Sequence, residues 1–80
     1  HKERTRLLTS AAFQKFMTEG PNAVSRRDIE VFFRIDDYVV GEARERKVAR
    51  IVKAFGNDPE LGRVVRELAS RIRGGEQNRS

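Results

Sequence analysis

The sequence predicts an all-α fold, a compact three- or four-helix domain with short loops. Three observations predict it. Apolar residues recur at helical spacing in four blocks. Gly, Pro and Asn gather between the blocks, where helices end. Residues that cap helix N-termini stand before the second and fourth blocks.

The first segment covers residues 3–19. Leu8, Ala12 and Phe16 fall at i, i+4 and i+8, and Phe13 and Met17 widen that face, the pattern of an amphipathic helix. Gly20-Pro21-Asn22 stops it, because Pro21 drives Gly20 away from helical geometry. The second segment covers residues 26–40. Ser25 and Asp28 have the spacing of a capping box, with Asp in place of the usual Glu or Gln. Ile29, Phe32, Ile35 and Val39 trace one helical face; Ile29, Phe32, Phe33, Asp36 and Val40 trace another. Val31, Phe33 and Ile35 also alternate as a strand would. The cap and the helical neighbours favour a helix.

The third segment, residues 42–55, has Val48, Ile51, Val52 and Phe55 at i, i+3, i+4 and i+7, with Ala43, Ala49 and Ala54 raising propensity. One glycine, Gly41, separates it from the second, so the two could run on as one helix. Gly56-Asn57 is a C-terminal stop. The fourth segment, residues 58–73, opens on Asp58 as N-cap with Pro59 at the first helical position. Leu61, Val64, Val65, Leu68 and Ile72 form one stripe, and Arg63, Glu67 and Arg71 can pair at i, i+4 on its flank. Gly74-Gly75 is expected to end it. The chain thus reads as one domain over residues 1–80, with an ordered core of 4–73 and a flexible tail of 74–80.

At 80 residues, 38% hydrophobic and 36% charged, there is room for a single core. There is no Cys, so disulfides, thiolate metal sites and thiol nucleophiles are excluded. The single His is residue 1, which removes Ser-His-Asp and His-based metal chemistry. Neither G-x-x-x-x-G-K-[ST] nor G-x-G-x-x-G occurs. Asp36-Asp37 with Glu42 lacks the ligand alternation of a calcium loop. No cofactor, metal or catalysis is therefore expected. No apolar run nears the roughly 18–20 residues that span a bilayer, and the opening His1-Lys2-Glu3-Arg4 is not a secretion signal. A cytoplasmic, nucleoid or nuclear location is expected, and His1 in place of Met suggests an excised domain or a tag scar.

The net charge is +5 and the pI about 10.4. Its distribution is uneven. Residues 25–40 set Arg26, Arg27 and Arg34 against Asp28, Glu30, Asp36 and Asp37, for −1. Residues 41–56 set Arg44, Arg46, Lys47, Arg50 and Lys53 against Glu42 and Glu45, for +3. Arg46, Arg50 and Lys53 form one stripe at i, i+4 and i+7, flanked by Arg44 and Lys47, and opposite the apolar face. Guanidinium forks suit phosphate. Ser25-Arg26-Arg27 adds a hydroxyl, backbone N–H groups and two cations at a helix N-terminus. The leading expectation is a non-catalytic nucleic-acid-binding domain, DNA-associated, contacting phosphates through Arg26, Arg27, Arg44, Arg46, Lys47, Arg50 and Lys53. The competing expectation is a protein-interaction or oligomerisation module. It would meet an acidic protein or a second copy through Phe32, Phe33, Tyr38 and Val39, because the second segment carries more apolar surface than one helix face can hold.

Overall fold

The chain folds as α1 (Lys2–Leu8), α2 (Ala11–Glu19), a 3-10 turn over Pro21–Ala23, α3 (Arg26–Phe33), α4 (Gly41–Phe55) and α5 (Gly62–Gln77). This computed structural model describes residues 2–36 and 38–77, with side chains as far as residue 73. His1, Asp37 and the last three residues of the expected tail lie outside the described residues. The fold is all-α, and the expected three or four helices are corrected to five among the described residues.

The extra helix comes from a break in the first segment. Ser10 takes extended geometry and its side chain accepts the Phe13 N–H, capping α2. One residue earlier, the Thr9 hydroxyl donates to the Thr5 carbonyl at 2.9 Å and closes α1. The break turns the face, so Leu7, Ala12, Phe13 and Phe16 are buried while Met17 is 56% exposed.

The second segment is shorter than expected. α3 stops at Phe33, and Arg34 enters the left-handed region at φ 56°. The Arg34 N–H donates to the Val31 carbonyl at 3.0 Å and the Ile35 N–H to the Glu30 carbonyl at 2.8 Å, the paired bonds of a Schellman ending. Ile35, just past the turn, is buried in the core. An apolar residue held this way under the helix end ends α3 without a glycine. Ile35, Asp36 and Tyr38 to Val40 are not helical, and α4 begins separately at Gly41.

In the fourth segment Asp58 does act as a cap. Its Oδ1 accepts the N–H groups of Glu60 and Leu61 at 2.8 and 2.9 Å. The intervening residues form a turn, and α5 proper starts at Gly62. Its backbone stays helical through Gly74 and Gly75 to Gln77, beyond the expected stop. Arg63 lies over the Phe16 ring at 5.9 Å, and Arg71 donates to the Pro21 carbonyl. Neither makes the expected pair with Glu67.

One core unites these elements. Leu61, Val64, Val65, Leu68, Ala69 and Ile72 are all buried, so the predicted stripe of α5 faces inward. Phe32 and Phe33 meet edge to face, with ring centroids 5.4 Å apart. Both can be buried because α3 packs on α2 and also on α5. The radius of gyration is 11.9 Å, close to the ~11.6 Å of a compact chain this long. Arg4 ties α1 to the turn before α5. Its Nε lies 2.7 Å from Asp58 Oδ2 and its Nη2 2.7 Å from Glu60 Oε1. Among the described residues no helix is long and apolar enough to cross a membrane.

Candidate nucleic-acid interface

α4 carries the basic surface. At 3.6 residues per turn, Arg46, Lys47, Arg50 and Lys53 cover about a third of its circumference, centred opposite Val48. Val48 is the one wholly buried residue of this helix, whereas Ile51, Val52 and Phe55 are only partly covered. Arg46, Arg50 and Lys53 are exposed and Lys47 is half-buried. Arg46 lies 3.7 Å from Glu42, with both side chains more than 70% exposed, an arrangement worth a few tenths of a kcal/mol. Lys47, Arg50 and Lys53 have no carboxylate partner among the described residues.

Arg44 belongs elsewhere. Its side chain is 11% exposed and its Nη2 lies 3.8 Å from Glu30 Oε2. Arg26 reaches the same carboxylate oxygen at 3.3 Å. Glu30 thus faces two of the seven predicted phosphate contacts, in an ion cluster that joins α3 to α4.

The N-terminus of α3 is occupied as well. Ser25 Oγ accepts the Asp28 N–H at 3.1 Å, and Asp28 Oδ2 accepts the Ser25 N–H at 3.3 Å. The Ser25 side chain and its backbone N–H hold the Asp28 carboxyl below its ordinary pKa, and Lys15 at 3.3 Å adds to the effect. The side-chain carboxylate therefore takes the place at the helix end where a phosphate was expected. Arg27 is exposed and has no partner among the described residues.

On the aromatic face, the structure places Phe32 and Phe33 in the core. Phe32 is 1% and Phe33 0% exposed, so neither can serve as an anchor without unfolding α3. Val39 is half-buried against the core. Tyr38 at 83% and Val40 at 62% are the exposed remainder of that segment.

Sequence reasoning passed over Arg34. It is exposed, has no carboxylate partner among the described residues, and borders one groove together with Lys47 and Arg50. Nothing in its spacing marks it, because its place depends on the left-handed turn. Among the described residues the chain is a five-helix all-α domain in which α4 carries a basic face. No family model, curated protein or solved structure matches the chain.

Proposed function

We propose that the chain is a non-catalytic nucleic-acid-binding domain, DNA-associated, which lays α4 along a phosphate backbone. The observation that carries this reading is the gathering on one face of α4 of three cations, Lys47, Arg50 and Lys53, that have no carboxylate partner among the described residues. Arg4, Arg6, Lys15, Arg26, Arg44, Arg46 and Arg73 each face a carboxylate. Lys47, Arg50 and Lys53 do not, and they share one helix. From Arg46 to Lys53 the helix rises about 10 Å, the axial length of about three phosphates on one strand of a duplex. Partial burial of Val52 and Phe55 behind this face holds the helix against the core.

Binding of this type is set by counterion release. Four phosphate contacts imply a slope of log affinity against log salt of about −3.6 for duplex DNA and about −2.8 for a single strand. Fluorescence anisotropy with a labelled duplex across a salt series measures it. The triple variant R46E/R50E/K53E is expected to lose most of the affinity while keeping its helical circular dichroism. Undetectable binding at low salt, or an affinity indifferent to salt, sinks the reading.

A second reading, a protein-interaction or oligomerisation module, now rests on exposed Tyr38 and Val40. Sedimentation equilibrium tests its self-association form. A strictly monomeric chain at high concentration counts against it.

A further inference from the structure

We propose that the groove between the α1–α2 junction, the end of α3 and the inner flank of α4 is a docking site for an acidic amphipathic helix of a partner protein. The groove holds about 1140 Å³, with Ile51, Ala54 and Phe55 supplying accessible apolar lining. Val31, 62% exposed, stands on its α3 wall.

Charge complementarity selects the occupant. Arg34 comes from the α3 side, and Lys47 and Arg50 from the α4 side. Of the carboxylates bordering the groove, Glu3 faces Arg6, and Glu30 faces Arg26 and Arg44. That leaves Asp36 against three cations. A ligand with apolar residues inward and carboxylates toward both walls fits this surface. Cations on both walls also disfavour a fatty acid, which carries one charge at one end, and the open mouth would leave an alkyl chain wet.

Backbone chemistry selects the conformation. The walls are helices whose N–H and C=O groups bond to one another, and no strand edge exists among the described residues. An extended peptide would bring backbone groups that find no partner there. A helix satisfies its own. A bare helical cylinder about 10 Å across takes up roughly 420 Å³ per turn, so the groove admits about two to three turns.

Arg34 gives the best handle for a test. It holds a left-handed conformation that glycine adopts freely, so R34G removes a rim charge without endangering the fold. The probe is a fluorescein-labelled peptide of about three turns, with Leu at i, i+3, i+4 and i+7 and Glu elsewhere. It is titrated against the whole chain at physiological salt. Saturable binding is expected, weakened about tenfold by V31E and about three- to fivefold by R34G. A peptide of the same composition in scrambled order should bind at least about tenfold more weakly. No binding to the wild-type chain, equal binding of the scrambled peptide, or indifference to both variants overturns the proposal. Binding of laurate in place of the peptide, lost in the same two variants, assigns the groove to an anionic lipid and also overturns it. Duplex DNA is titrated against the same proteins. Peptide binding without DNA binding supports the docking site and counts against the nucleic-acid reading. DNA binding without peptide binding does the reverse.

Discussion

Arg34 sits where helices ordinarily place glycine. Its φ of 56° brings Cβ close to the following carbonyl, a strain of about 1–2 kcal/mol for an L-residue. Glycine would remove the strain but adds about 0.5–1 kcal/mol of unfolded-chain entropy to be overcome. R34G is therefore expected to stabilise the chain by about 0.5–1 kcal/mol, read as a higher urea midpoint at unchanged m. The strain persists because both Schellman bonds and the buried Ile35 hold the turn in place. A change at Ile35 removes the support and keeps the strain. At the same scale, Arg44 and Arg46 have opposite roles two residues apart. One is turned toward Glu30 and the other extends into solvent. Charge counting along the sequence treats them alike.

Between α4 and α5 the chain reverses across two glycines with backbone almost touching backbone. A Cβ on Gly62 would stand 2.5 Å from the Gly56 carbonyl oxygen and 3.0 Å from its carbon. Propensity alone says that alanine in a helix gains about 1 kcal/mol over glycine. Steric overlap with rigid backbone costs about 1–3 kcal/mol. G62A is expected to lower stability on balance, with the melting temperature falling by several degrees. A rise would mean that the two backbones can separate freely. The elements also show what a sequence can and cannot carry. The capping box at Ser25, the cap at Asp58 and the α5 stripe were legible because each depends on residues within one or two turns. The break at Ser10 had only a weak local signal, a serine inside an otherwise continuous apolar pattern. The end of α3 had none, since burial of Ile35 by distant helices decided it. The same limit applied to the candidate site. The charge of α4 could be read from the chain, but the withdrawal of Arg26 and Arg44 onto Glu30 required α3 and α4 to be placed side by side.

Across the whole molecule, acid should act mainly through Asp58. Its bond with Arg4 and the N–H groups of Leu61 and Glu60 lower its carboxyl from 3.8 to about 2. A depressed folded-state value means that the contribution is complete above pH 3.8 and disappears as pH falls toward about 2. Asp28 shifts in the same direction. D58N retains an oxygen for the cap but not the charge facing Arg4. Its urea midpoint should vary less between neutral and acid pH than that of the wild type. An equal acid loss in both proteins would place the sensitivity elsewhere. The net charge of +5 grows as carboxylates protonate, and self-repulsion then adds to the loss.

The Arg4 clasp also bears on the order in which the molecule assembles. It joins residues 54 apart in sequence, and closing so long a loop costs about 3.5 kcal/mol of chain entropy. The α2–α3 and α4–α5 contacts join neighbours and can form earlier. α1, with Leu7 as its one buried residue, is therefore expected to dock last and to leave first. Native-state hydrogen exchange should find its amides opening below the global unfolding free energy, while those of α5 open only with the whole chain.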